Sequence, residues 1–204
     1  MNKRVKLLID DLYIKKDKVY KNNSIFYDFN KNFLDCRFSL LTLSARNFKI
    51  ENIEKILEIF TFNEITDYVF VVGDEKDKDL MIEKFKIFNG KVIINPEPKD
   101  VLYSSIKIGL KAISRRVDFV ILQFLSLYNI KKETVDTLIE RAKISKKDIL
   151  IPVFKKRKGH PIIFKSNLIP LFNSLRKEKG LPYLLKNYKD CIEEVGVDDE
   201  NILK

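Results

Sequence analysis

The only histidine, His160, follows four consecutive cations, Lys155-Lys156-Arg157-Lys158, and is flanked by Gly159 and Pro161. Apolar runs on either side, Ile149 to Phe154 and Ile162 to Phe164, read as two strands joined by a turn that sets one imidazole at a fixed angle. An imidazole beside clustered cations can orient or protonate a phosphate group, with Arg157 and Lys158 as further phosphate contacts. The plainer alternative is a packed histidine that makes one hydrogen bond. Ser104 and Ser105 form a second constellation. They read as the cap of a helix bearing Ile106, Leu110 and Ile113, and a helix start beside strand ends is also a ready anion or nucleotide contact. Two acidic pairs, Asp10-Asp11 and Asp198-Asp199, are candidates for holding a cation, against the ordinary reading of a solvated strand end and a solvated turn. Cys36 and Cys191 have no metal-ligand spacing and read as buried thiols.

The elements that position these groups alternate between strand and helix. Val5 to Ile9 reads as the first strand, Ile25 to Leu34 as helical or mixed, and Leu40 to Leu43 as a second strand. Ile53, Ile56, Leu57 and Phe60 form a helical stripe. Tyr68 to Val72 is a buried strand ending at Gly73. Leu80, Lys84 and Phe85 belong to a helix whose face Phe88 completes, and Val92 to Ile94 is a strand stopped by Asn95-Pro96. Phe119 to Leu122 is near-continuously apolar, as strands covered on both faces are. Thr134 to Ala142 is a helix with Val135, Leu138 and Ile139 inward. Leu168 to Leu175 and Leu181 to Leu185 are short helices, and Ile192 to Val197 is a last strand. The pattern predicts an α/β protein, a three-layer αβα sandwich on a parallel sheet. Its chemistry would lie beyond the carboxyl ends of the strands.

The chain has 204 residues, 45% of them hydrophobic, which is enough for one domain over residues 1–204 with a full core. No apolar run approaches the roughly 20 residues that span a bilayer, and the apolar stretch Leu7-Leu8-Ile9 is too short for a signal-peptide core. A cytoplasmic protein without a membrane partner is expected. The net charge of +10 suits nucleic acid or phosphorylated ligands. The lysines are spread along the whole chain, however, which argues for a generally solvated basic surface over a dedicated nucleic-acid face.

Three segments taken together resemble the MobA-like nucleotidyltransferases, and most of all the molybdenum cofactor cytidylyltransferases. They are Asn95-Pro96, Leu102-Tyr103-Ser104-Ser105-Ile106-Lys107-Ile108-Gly109-Leu110, and Lys158-Gly159-His160-Pro161-Ile162-Ile163-Phe164. Lys132-Glu133-Thr134-Val135 resembles that family's Pro-Glu-Thr-Ile helix start. Order and spacing agree from about Tyr68 to Lys204, roughly two-thirds of the chain.

The resemblance implies a Rossmann-like, nucleotide-diphospho-sugar transferase-like fold, a three-layer αβα sandwich with a mostly parallel mixed sheet. It also implies transfer of a nucleotide from CTP, or another NTP, to a pterin-cofactor phosphate, with magnesium bridging phosphate oxygens. In the family a glycine-rich loop with a following Arg and Lys wraps the triphosphate after the first strand. An Asp after the middle strand and another near the carboxyl end bind the metal. On this alignment Ser104 and Ser105 lie by the nucleotide and Lys18 stands where the loop lysine would. His160, Lys158 and Arg157 face the acceptor or its phosphate.

The loop and the two metal Asp residues have no counterparts. No glycine precedes Gly73, and Asp10-Asp11-Leu12-Tyr13-Ile14-Lys15-Lys16-Asp17-Lys18 occupies the place of the glycine-rich loop. Ser126 replaces the expected metal-binding Asp, and no carboxylate lies between Asp118 and Glu133. A neutral hydroxyl is a poor ligand for a hard divalent cation. The expectation is therefore a catalytically impaired member that binds a nucleotide, a pterin or a protein partner. The alternatives are an active nucleotidyltransferase with a metal site rebuilt on Asp10, Asp11 or Asp198, and a basic nucleic-acid-binding module.

Overall fold

The computed structural model describes residues 5–6, 12–15, 18–21, 24–28, 36–44, 48–62, 64–84, 90–96, 101–174 and 181–203. The sequence reads as a single domain, whereas the chain packs as two compact units, Met1–Asp35 and Cys36–Lys204. In the first unit, strands β1 (Val5–Lys6), β2 (Leu12–Lys15), β3 (Lys18–Lys21) and β4 (Ser24–Asp28) form an antiparallel sheet in the order β1-β2-β3-β4. This corrects two expectations. Val5 and Lys6 pair with Ile14 and Tyr13 and do not open the parallel sheet. The stretch expected to be helical or mixed from Ile25 contains a strand to Asp28.

The second unit carries the αβα sandwich. In chain order it contains β5 (Phe38–Leu43), α1 (Ile50–Ile59), β6 (Ile65–Val72), α2 (Glu75–Lys84), β7 (Gly90–Ile94) and α3 (Val101–Ala112). There follow β8 (Phe119–Phe124), α4 (Lys132–Ile144), β9 (Ile149–Phe154), β10 (Arg157–Lys158) and β11 (Ile162–Lys165). The last elements are α5 (Ile169–Ser174), α6 (Leu181–Asn187) and β12 (Ile192–Gly196). The strand order is β10-β9-β11-β8-β5-β6-β7, with β12 beside β9. Neighbours are parallel except for β11, which runs against both β8 and β9, and β10, which folds back on β9. The sheet is mixed and mostly parallel, as the family resemblance implies, where the alternation of elements alone predicted a parallel one.

The first strand of this sheet is β5. It lies at the centre between β6 and β8 and is buried along its whole length, as a strand covered on both faces must be. Side chains alternate between two cores. Phe38, Leu40, Ile121 and Ile163 face α1 and α4 through Ile53, Ile56, Leu138 and Ile139. Leu41, Leu43, Val120, Leu122 and Phe164 face α3, α5 and α6 through Ile106, Leu110, Phe172 and Leu184. Gly109 lets α3 settle onto β5, because a Cβ there would stand 2.4 Å from Leu41 Cδ1. Phe85 and Phe88, expected on the face of α2, lie outside the described residues.

Candidate functional site at the carboxyl edge of the sheet

Strands β5, β6, β7, β8, β9 and β12 run in one direction, so Leu43, Val72, Ile94, Phe124, Phe154 and Gly196 end at one edge. β11 enters antiparallel, which puts the residues before it, His160 and Pro161, at that same edge. The chain runs from β5 out to β6 and β7, then returns to add β8 on the other side of β5. The gap between β5 and β8 is thus the topological switch point, where open α/β sheets leave a crevice for ligands.

On one side of the crevice, Asn95 leaves β7 and its Nδ2 donates to Ser104 Oγ at 2.7 Å and to Ser105 Oγ at 2.9 Å. All three residues are buried. This corrects the helix-cap reading of the serines. α3 begins at Val101, so Ser104 and Ser105 lie inside its first turns, and their hydroxyls clasp the end of β7.

His160 lies on the other side. Its ring meets Phe124 edge-on, with centroids 4.3 Å apart and planes at 60°. Its backbone N–H donates to the Ile202 carbonyl at 3.0 Å. Nδ1 is buried with no hydrogen-bond partner. Burial pushes the imidazole down to about 4, with an opposing contribution from a hydrogen bond to the Leu122 backbone. The ring is therefore neutral at pH 7. As a neutral imidazole it keeps one N–H and lacks the imidazolium charge that protonating a phosphate as a general acid would use.

The flanking glycine has a steric purpose. A Cβ on Gly159 would come within 2.4 Å of the Ile202 carbonyl oxygen. The C-terminal turn Glu200–Leu203 closes directly onto this segment, with Ile202 fully buried. Asp199 anchors the turn. One carboxylate oxygen accepts from Lys131 N at 2.7 Å and from Thr134 Oγ1 at 3.0 Å, and the other accepts from Asn201 N at 3.1 Å. With both oxygens engaged, Asp199 is a structural tie to the start of α4 and no free metal ligand. Asp198 beside it is exposed, and its carbonyl accepts from Lys131 Nζ.

Of the basic candidates, Lys158 is ion-paired with Glu194 at 2.8 Å, while Arg157 is exposed. Ser126 is exposed in the 3-10 turn Leu125–Leu127 that follows β8, at the mouth of the crevice. Beneath it Thr42 and Gln123 face each other across β5 and β8, each with a buried side-chain oxygen that has no partner. Among the described residues no three His, Cys, Asp or Glu side chains gather into a metal site. The donors described do not fit the divalent cation that the resemblance implies.

The phosphate-loop reading of Lys18 requires the first strand of the parallel sheet to precede it. That strand is β5, and Lys18 belongs to β3 of the antiparallel sheet. Asp10 and Asp11 lie outside the described residues. The segment that follows the true first strand is Ser44-Ala45-Arg46-Asn47-Phe48-Lys49. It has no glycine but does contain an arginine and a lysine. The signal that finds it is the six-residue run Phe38 to Leu43, whose only polar residues are the small Ser39 and Thr42, where Val5 to Ile9 contains Lys6 and meets Asp10-Asp11 at once.

A mostly parallel sheet with one antiparallel strand next to its switch point, and a ligand crevice flanked by Asn95 and His160, defines a nucleotide-diphospho-sugar transferase-like protein. The chain belongs to the family described as the MobA-like NTP transferase domain, whose model matches residues 52–192. Rv0371c from Mycobacterium tuberculosis H37Rv has a similar fold, with a TM-score of 0.65 at 12% identity over 80% of this chain and 89% of that one. The 4-diphosphocytidyl-2C-methyl-D-erythritol synthase from Anaerococcus prevotii DSM 20548 gives 0.64 at 12% identity over 83% and 90%. A complex of Rv0371c with manganese gives 0.63 at 13% identity over 79% and 88%. At these identities the likeness speaks to the fold alone. No curated protein sequence matches the chain. Among the described residues no helix is long and apolar enough to cross a membrane.

Proposed function

We propose that the Cys36–Lys204 unit binds a nucleotide in the crevice between β5 and β8 and is impaired in nucleotidyl transfer. The nucleotide would lie toward the Asn95-Ser104-Ser105 clasp, and a phosphorylated acceptor, in the molybdenum cofactor branch a pterin, toward His160. Four strand spacings separate β7 from β11, about 19 Å, which suits a ligand pair laid end to end across the crevice. In the sequence, Arg46 and Lys49 are the cations that follow β5, where a triphosphate would bind.

The observation that carries the impairment is Ser126. At the mouth of the crevice stands a hydroxyl, and no acid occurs between Asp118 and Glu133. Charge neutralisation on the transferring phosphate is most of what such a reaction asks of its protein. A site without a carboxylate there binds without turning over.

Thermal unfolding with CTP, GTP, ATP and UTP, each with and without magnesium, tests the reading. A nucleotide at about 100 times its dissociation constant adds roughly 2.7 kcal/mol, or roughly 5–10 °C for a chain of this size. A shift that is independent of magnesium, with no pyrophosphate released from CTP and molybdenum cofactor, is the expected result. A shift that requires magnesium, together with pyrophosphate release, sinks the impairment. It would favour the reading in which Asp198, exposed beyond β12 at the same edge, completes a rebuilt metal site.

A further inference from the structure

The turn between β9 and β10 is built from two residues, Lys155 and Lys156, with Phe154 and Arg157 as the closing pair. Both lysines have positive φ, 46° and 67°. A two-residue hairpin turn of this kind demands left-handed backbone at both central positions, where Asn-Gly is the comfortable choice and a residue with a long side chain is strained. Lysine at both positions is the costly option, and such outliers collect where a side chain is needed. The base of the hairpin is held firmly. Gly159 N donates to the Pro152 carbonyl at 2.9 Å, and Val197 N donates to the Val153 carbonyl at 3.0 Å.

The four cations of this hairpin differ in their engagement. Lys158 is neutralised by Glu194 at 2.8 Å, and the Lys155 ammonium lies 5.1 Å from the centroid of the Phe154 ring. Lys156 and Arg157 are exposed and have no carboxylate partner among the described residues. They project from the end of β9 at the edge that holds His160. Two adjacent free cations match one phosphate dianion. A nucleic acid needs a longer row of contacts, and exposed Glu194, Asp198 and Glu200 on the neighbouring β12 and C-terminal turn break up the field it would follow.

We infer that the Lys155-Lys156 hairpin is a phosphate clamp, with Lys156 and Arg157 receiving the phosphate of a small phosphorylated acceptor beside His160. The inference rests on the acceptor side of the proposed function, and it adds the class of group recognised there and the residues that recognise it.

The test uses the full chain and two double variants. In K156Q/R157Q, affinity for inorganic phosphate, measured by calorimetry, falls about tenfold, while the thermal shift with CTP stays as in the unsubstituted protein. In K155N/K156G the melting temperature rises by a few degrees as the turn relaxes, and phosphate affinity falls as well. Unchanged phosphate affinity in both variants overturns the clamp. A lower melting temperature for K155N/K156G overturns the claim that the lysines sit there at a cost. Loss of the CTP shift together with phosphate assigns the clamp to the nucleotide and overturns the acceptor. A single-stranded oligonucleotide that binds the unsubstituted chain, and is released by both variants, overturns the small-molecule assignment. Loss of phosphate affinity in a chain that never responds to CTP upholds the clamp while the proposed nucleotide role fails.

Discussion

Gly159→Ala probes how the C-terminal turn holds the histidine segment. Gly159 is not in the left-handed region, so the cost of a side chain there is purely steric. The new Cβ would meet the Ile202 carbonyl oxygen at 2.4 Å, Ile202 Cγ1 at 2.7 Å and Ile202 Cβ at 2.8 Å. The first is backbone, so no rotamer change relieves it and the turn must move. Moving it breaks the His160 N to Ile202 O hydrogen bond, worth about 1 kcal/mol. It also draws the buried Ile202 side chain part-way out of the core, at about 1–3 kcal/mol, since full exposure costs about 1.5–3 kcal/mol. The sum is roughly 2–4 kcal/mol, or a fall in melting temperature of about 5–15 °C. Urea denaturation followed by circular dichroism measures it. A truncation ending at Asp199 removes the obstacle, so adding Gly159→Ala to that truncation should cost under about 0.5 kcal/mol, a non-additivity that only direct contact produces. If Gly159→Ala is within 1 kcal/mol of the unsubstituted protein, or costs the same with and without residues 200–204, the close approach is not what demands glycine.

The His160 imidazole is held at about 4 by burial, against 6.5 for a free histidine. The unfolded chain therefore binds the extra proton first. The stabilisation is complete above pH 6.5 and is lost as pH falls from 6.5 to 4, a span of roughly 3 kcal/mol. His160→Gln should flatten that slope in urea midpoints measured between pH 7 and 4, and an unaltered slope would show that the ring titrates freely. Asn95→Ala leaves two buried serine hydroxyls without their shared donor and should destabilise by about 1–3 kcal/mol in the same assay; a loss below 0.5 kcal/mol would mean water replaces the amide. Ser126→Asp places a carboxylate at an exposed position, so stability should change by less than about 0.5 kcal/mol. The thermal response to nucleotide should then become magnesium-dependent, and its absence would mean that more than one missing acid disables the site.

Elements whose pattern is local were legible in the sequence. The stripe Ile53, Ile56, Leu57 and Phe60 forms α1, and the apolar run Phe119 to Leu122 lies at the heart of β8, both buried as their periodicity demands. His160 was expected in a turn between the strands that became β9 and β11, but the turn itself is Lys155-Lys156, and the short strand β10 lies between it and His160. The first third of the chain went wrong for an identifiable reason. Val5 to Ile9 and Phe38 to Leu43 are both apolar runs, and a strand's propensity does not reveal which sheet it joins. Choosing the earlier run set the segment after the first strand at Asp10 to Lys18, where the fold makes it Ser44 to Lys49. The serine pair erred by a single turn of helix, within the usual uncertainty of a helix boundary.

Residue types at short spacing determined the family, the α/β class and the absence of an acid around Ser126, because each of these is a property of adjacent residues in one chain. What surrounds those residues was decided only by contacts between segments far apart in sequence. Asp199, read as a solvated turn or a cation ligand, has both its oxygens on backbone and hydroxyl donors, some of them at Lys131 and Thr134. Ser104 and Ser105, read as a cap and a nucleotide contact, lie inside α3 and are bridged by Asn95. His160, read as orienting or protonating a phosphate or as a packed ring, lies against Phe124, and burial lowers its pKa. Hydrogen-bond saturation and desolvation depend on what surrounds a group in three dimensions, and no local pattern carries that information.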